Sequence, residues 1–281
     1  MTYRLLSVHA HPDDESSKGA ATLARYATEG VDVLVATCTG GERGDVLNPA
    51  LDTPETRADL PALRRREMAA AAEILGIRQQ FLGHTDSGLP AEAEPPPEGS
   101  FAALPLEEAA APLVALIREF RPHVVITYDE TGGYPHPDHI RTHDVTIEAF
   151  TAAADPTRYP GAGDPWRPQK LYYQATLSRA WFEALHNATL EAGLESAMGA
   201  VLEELPPEDK LPRTTKIRCE DHFSTRDRAL LAHATQVDPA HPFFNHSREI
   251  ERKAWPFEDY HLAHPAPGAD LETDLFTGVT P

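Results

Sequence analysis

Along the first 175 residues, short apolar runs rich in β-branched residues alternate with longer stretches where apolar side chains recur at helical spacing. Arg4–His9 (RLLSVH) reads as a buried strand, and a polar break separates it from a helix over residues 18–29 that Gly30 stops. Residues 31–37 (VDVLVAT) repeat the strand pattern. In residues 63–75, Met68, Ala71, Ala72 and Leu75 fall at helical intervals and Gly76 ends the run. Residues 78–82 carry a weaker strand signal. Leu106–Phe120 has helical periodicity, residues 123–127 (HVVIT) read as a strand, 139–152 as a helix and 170–175 (KLYYQA) as a strand. This β-α-β-α order predicts an α/β fold, an open and mostly parallel Rossmann-like sheet with helices on both faces.

Proline-rich stretches at 91–105, 155–168 and 205–212 interrupt the pattern. Strand signals resume beyond the first two, so these read as surface excursions and not as linkers. From about residue 176 the chain is mainly helical (180–204, 224–236) and then irregular. The expectation is a single domain over residues 1–281, with an α/β core in 1–175 and a C-terminal part, 176–281, covering the site. A chain of 281 residues can bury a core of that size.

Composition narrows the partners. The chain has 44 acidic against 25 basic residues, a formal net charge of −19, and such a surface repels nucleic acid and anionic lipid. No apolar run approaches the ~18 residues needed to span a bilayer, and residues 1–8 are too short for a signal peptide. Cys38 and Cys219 are far apart in sequence and form no C-x-x-C pair, which suits a reducing compartment. A cytoplasmic enzyme acting on a small molecule is expected. The 14 histidines include tight clusters with acids, which points to metal chemistry.

Two motifs carry that chemistry. His11-Pro12-Asp13-Asp14-Glu15 stands where the first strand runs out; Pro12 biases His11 away from helix. Helix capping accounts for one or two acids near a helix start, but not for a histidine joined to two adjacent carboxylates. The second motif, Tyr128 to His139 (YDETGGYPHPDH), follows the strand at 123–127. Ligands in open α/β sheets bind beyond the carboxyl ends of strands, so the two motifs can converge across more than 100 residues.

Two histidines and one carboxylate with an open position are the donor set of catalytic zinc. His11, Asp14 and His139 are the expected ligands of Zn²⁺; Fe²⁺ suits the same set. Asp13, adjacent to a ligand, stays free as general base. Tyr134 and His136 lie in the same loop and can stabilise a tetrahedral oxyanion. His143 shares a helix face with His139, but H-x-x-x-H here lacks the Glu of H-E-x-x-H, so His143 is expected to support the site from behind. A non-haem iron oxygenase also uses two histidines and a carboxylate, yet it has no task for the second carboxylate. A catalytically silent sugar- or metal-binding module would lack one of these parts.

His11-Pro12-Asp13-Asp14 with a later His136-Pro137-Asp138-His139 resembles the LmbE/PIG-L family of zinc N-deacetylases, which act on amino sugars. The likeness extends through residues 8–26, 39–49 (TGGERGDVLNP), 120–141 and 232–239 (AHATQVDP), and is weakest over about 150–220. The resemblance implies the same ligand set, Asp13 as base or acid, Tyr134 as polarising phenol, His136 as oxyanion partner and Asp138 orienting a neighbour. It also suggests Arg66 and Asp86 as sugar contacts, although Arg66 sits in a basic helix start and Asp86 in an ordinary turn. Lys18 and Pro135 match the branch that hydrolyses S-conjugates of a pseudo-disaccharide thiol, over the branch that deacetylates N-acetylglucosaminyl inositol. A lone lysine at a helix start is otherwise simply solvated. As a substrate contact, Lys18 would reach the rim of the metal cavity and engage the acyl group.

Overall fold

The computed structural model describes residues 2–91, 94–175, 177–208, 211–240 and 247–281. Its first strand, β1 (Arg4–His9), is buried on both faces. Leu6 and Val8 join one apolar layer and Leu5 joins the opposite one, the two-sided burial that a central parallel strand requires. β2 (Asp32–Thr39), β3 (Arg78–His84), β4 (Val124–Thr127) and β5 (Lys170–Gln174) pair in parallel around it. β6 (Thr215–Arg218) and β7 (Phe257–His264) extend the sheet in antiparallel fashion. Among the described residues the sheet is seven-stranded, ordered β3-β2-β1-β4-β5-β7-β6.

The helices fall on both sides. One turn, α1 (Asp14–Ser17), follows β1, and α2 (Ala20–Thr28) starts after Gly19. α2 and α3 (Pro54–Leu75) cover Leu5, Val33 and Val35 through Leu23, Tyr26, Met68 and Ala72. α4 (Leu106–Phe120) and α5 (Pro137–Ala152) cover Leu6, Val8, Leu34 and Ala36 through Leu113, Ile117, Val145 and Ala149. α3 begins nine residues before the start that periodicity predicts. Thr53 caps it by accepting from the Thr56 amide, Pro54 occupies the first turn, and Pro61 is tolerated on the exposed face.

The C-terminal part contributes four α-helices among the described residues. α6 (Arg179–Glu191) and α7 (Met198–Glu204) divide the single helix read at 180–204, and α8 (Phe223–Ala232) and α9 (Arg248–Ala254) follow. It also contributes β6 and β7, of which β7 lies where irregular chain is expected. The reason lies in β7, where the charged Glu258 and Asp259 are buried and break the apolar pattern. Glu258 accepts from the amides of Ala21 and Thr22, so its place in a strand interior serves the start of α2.

Candidate active site

The chain leaves β1 on one side and β4 on the other of the point where strand order reverses. The loops after β1 and β4 therefore flank the crevice where open α/β sheets bind ligands. His11 comes from the first loop, Tyr134 from the second, His136 from the cap of α5 and His139 from its first turn.

The second loop is built by its own residues. Asp129 Oδ1 accepts from Thr131 N, Thr131 Oγ1 and Gly133 N. Gly132 has φ +72°, and a Cβ there would lie 2.6 Å from the Cβ of His139, so no larger residue fits. Its carbonyl accepts from His139 Nδ1 at 3.0 Å. That bond leaves Nε2 of the fully buried His139 bare, without a hydrogen-bond partner. Tyr128 stacks on the His139 ring at 4.5 Å. Pro135 lies between Tyr134 and His136, whose amide donates to the Tyr134 carbonyl at 2.7 Å, a three-residue turn suited to proline's fixed φ.

The structure brings His11, Asp14 and His139 together. Asp14 Oδ2 lies 3.3 Å from His139 Nε2 and 3.6 Å from His11 Nδ1. Ligands at ~2.0–2.1 Å on a tetrahedral zinc stand about 3.4 Å apart, so the donors fit such an ion. His11, His136 and Asp138 form a second, overlapping group that could hold an ion. Charge favours a cation here. Burial opposes a charged His11, yet hydrogen bonds to Asp138 and Asp86 and the charge of Asp14 outweigh it and push its pKa up to about 10. Burial likewise opposes the Asp14 carboxylate, but His139, Lys18 and His11 hold it well below the usual range.

Asp13 stands beside the group with its carboxylate partly exposed, 3.0 Å from Arg64 Nη2. Burial and the charge of Asp14 raise its pKa, against the pull of Arg64. His136 caps α5, its Nδ1 accepting from the Asp138 amide, so a neutral ring carries its proton on Nε2. Burial and the nearby His11 charge lower its pKa to about 4, keeping it neutral at pH 7. The Tyr134 ring lies 4.4 Å from that of His139. Burial and the charges of Asp14 and Asp13 raise its pKa, so it retains its O–H.

Asp138 is fully buried between His11 Nε2 at 3.2 Å and the Ser87 amide at 3.0 Å. Asp86 accepts from the amides of Arg43 and Gly88 and lies 3.6 Å from His11 Nε2. His143 sits behind the loop, its Nδ1 3.0 Å from the Tyr128 carbonyl.

One expectation is corrected. Arg66 lies on the exposed face of α3, paired with Asp59, and does not face the site. The arginine at the site is Arg64, buried, which donates to the carbonyls of Gly41 and Pro12 and to Asp13. Gly41 makes room for it, since a Cβ there would meet the guanidinium at 2.2 Å. Periodicity held the signal, for stepping back four residues from Met68 along the buried stripe gives Arg64. Lys18 lies at the site, its ammonium 5.9 Å from the centre of the Tyr134 ring. Its ammonium donates to Asp14 Oδ1 at 2.8 Å, so its charge is engaged on the cluster itself.

An open, mostly parallel sheet with this cluster of histidines and carboxylates at its switch point defines an α/β protein with a candidate metal centre. The chain belongs to the PIG-L family, described as GlcNAc-PI de-N-acetylase, whose signature matches residues 6–150. It is an amide-hydrolysing enzyme. It is 51% identical to "Mycothiol S-conjugate amidase" of Streptomyces coelicolor, over 98% of this chain and 97% of that protein. It is 42% identical to "1D-myo-inositol 2-acetamido-2-deoxy-alpha-D-glucopyranoside deacetylase" of Streptomyces avermitilis, over 99% and 98%. Its fold matches that of N,N'-diacetylchitobiose deacetylase from Pyrococcus horikoshii with a TM-score of 0.63 at 20% identity, covering 95% of this chain and 88% of that one. Among the described residues, no helix is long and apolar enough to cross a membrane.

Proposed function

We propose that this chain is a zinc-dependent amidase that cleaves the bond between an amino sugar and its acyl group, and that its substrate is a mycothiol S-conjugate. The observation that carries the hydrolytic reading is the division of labour between adjacent carboxylates. Asp14 turns into the group formed with His11 and His139, while Asp13 stays outside it, partly exposed and with a raised pKa. The bare Nε2 of His139 and the donor spacing support His11, Asp14 and His139 as the residues that hold the ion. A divalent cation held there supplies Lewis acidity and brings the pKa of a water molecule down towards ~7.

Asp13 accepts the proton of the attacking water and returns it to the departing amine, so one residue serves as base and then acid. Tyr134 and His136 keep their protons at neutral pH and donate to the oxygen that becomes negative as the carbonyl turns tetrahedral. Asp138 fixes the His11 ring and Asp86 supports it from a second direction. The C-terminal part frames the approach. A cavity of about 240 Å³ opens between Asp129, Thr131 and Gly133 of the β4–α5 loop and Leu177, Arg179 and Leu205. Two buried free thiols, Cys38 and Cys219, suit a cytoplasmic setting.

Similarity over the full length favours the S-conjugate amidase over the biosynthetic deacetylase, 51% against 42%. The test is to give zinc-loaded protein a bimane conjugate of mycothiol and, separately, N-acetylglucosaminyl inositol. The conjugate should be hydrolysed with a kcat/KM at least about 10-fold higher, the worth of one remote contact that only the larger acyl group makes. Faster deacetylation would assign the chain to the other branch and leave the hydrolytic mechanism standing.

A further inference from the structure

Asp13 is held in a backbone conformation that an L-residue with a branched-off carboxylate seldom adopts, φ 105° and ψ −27°. Such a residue persists only where its surroundings over-determine it. Two devices do so. Arg64 grips the Pro12 carbonyl at 2.7 Å and the Asp13 carboxylate at 3.0 Å. On the backbone side, the Asp13 amide donates to Glu15 Oε2 at 3.0 Å.

Glu15 is fully buried, which makes an isolated carboxylate unfavourable there. Its other oxygen, Oε1, accepts from Ser16 Oγ and from His233 Nε2, the latter at 2.8 Å. His233 is itself fully buried, 218 residues away at the end of α8. Its segment is tied down in turn. Thr235 donates from its amide and its hydroxyl to Glu67 of α3, and its carbonyl accepts from the amides of Leu47 and Asn48. His233 touches neither the His11–Asp14–His139 group nor the crevice. Its ring bonds through Nε2 to Glu15, and its Nδ1 has no hydrogen-bond partner among the described residues.

We infer that His233 and Glu15 are positioning residues that lock the Asp13 backbone in the left-handed region and so aim its carboxylate at the reacting water. This rests on reading Asp13 as the base. The C-terminal segment that carries His233 thereby sets the geometry of a residue on the first loop. Without His233, Glu15 would keep only Ser16 on Oε1, lose its one cationic partner and release the Asp13 amide, and the Asp13 carboxylate would relax away from its working position. A misplacement of about 1 Å can lower turnover ~10²-fold.

The test is a cycle of His233→Ala and Asp13→Asn in zinc-loaded protein, followed with the mycothiol bimane conjugate, and a crystal structure of His233→Ala. His233→Ala should lower kcat by about 10-fold or more with KM and zinc content little changed, and His233→Gln, which keeps a donor, should recover part of the loss. In the Asp13→Asn background the same substitution should change kcat by less than about 2-fold, because the two residues act through one group. In the crystal structure, Asp13 should leave the left-handed region. An equal loss of kcat in both backgrounds, or an Asp13 that keeps its φ without His233, overturns the inference. Should His233→Ala not accumulate as folded protein, His233→Phe, which fills the space without a donor, takes its place in both arms under the same criteria. The crystallographic arm holds whichever amide the enzyme cleaves, so its failure is distinct from failure of the proposed substrate.

Discussion

Lys18 donates from Nζ to Oδ1 of Asp14 at 2.8 Å, while Oδ2 of the same carboxylate lies 3.3 Å from His139 Nε2. One carboxylate is thus shared between an ammonium and the candidate metal group. The lysine helps keep Asp14 ionised against the effect of burial, together with His139. Lys18→Met removes one of those influences, so the Asp14 pKa rises and protons compete with the metal at higher pH. Zinc occupancy followed during acidification should fall at a higher pH in the variant. Because the contact is with a shared group, turnover of the S-conjugate and of the acetylated sugar should decline together. A selective loss of the conjugate, with unchanged zinc retention, would return Lys18 to the role of substrate contact.

His11→Ala, Asp14→Ala and His139→Ala should each lower zinc content well below one ion per chain, since each removes one of three donors. His143→Ala should bind zinc normally, because its Nδ1 is turned to the Tyr128 carbonyl behind the loop. Elemental analysis after dialysis checks both. Full occupancy in Asp14→Ala, with loss in His136→Ala, would point instead to the overlapping group of His11, His136 and Asp138.

Asp13→Asn keeps the shape of the side chain and its place beside Arg64, so zinc should stay bound while kcat falls by ~10²-fold or more. Tyr134→Phe should also retain zinc and lose kcat more than KM, because the missing O–H acts mainly in the transition state. Steady-state kinetics on zinc-loaded variants separate these outcomes, and a near-normal kcat would remove that residue from the mechanism.

Which parts were readable from sequence follows from the kind of signal each residue leaves. The parallel strands announce themselves because both faces are buried and the runs are apolar, and the two motifs then fall at strand ends by position alone. β7 hides because Glu258 caps α2 from within a strand. Arg64 was mistaken for Arg66 because three consecutive arginines look alike until the helix face is followed back from Met68. Lys18 falls near the first motif in sequence, but its partner depends on distances in space, and Asp14 Oδ1 lies 2.8 Å from its ammonium. The link from His233 to Glu15 spans 218 residues and leaves only a short matching string in the sequence, with no periodicity to mark it.

His9 sets an acid limit on stability. It is fully buried on β1, with Nε2 2.8 Å from Ser7 Oγ and Nδ1 3.3 Å from the Tyr128 hydroxyl. Burial lowers its pKa to about 4, and the charges of Asp14 and Glu15 only partly offset that. The unfolded chain takes up this proton near pH 6.5. Between pH 6.5 and about 4 the unfolded state therefore binds more protons at this position, and stability falls as the pH is lowered. The folded state keeps the full contribution above pH 6.5 and has lost it below about pH 4. A shift of this size corresponds to roughly 3 kcal/mol across the window. A cation held at His11 and Asp14 would deepen the effect, because positive charge disfavours a second cation on His9. His136, lowered to about 4 as well, adds a limb of the same sign, so the contribution of His9 is isolated by substitution. Urea unfolding of metal-free protein from pH 6.5 to 4.5, below the range where the raised pKa of His11 works in the opposite direction, should show stability falling with pH, and His9→Gln should reduce that slope while lowering stability at pH 6.5 through poorer packing. Parallel lines for parent and variant would mean that His9 takes up its proton as readily in the fold as in the unfolded chain.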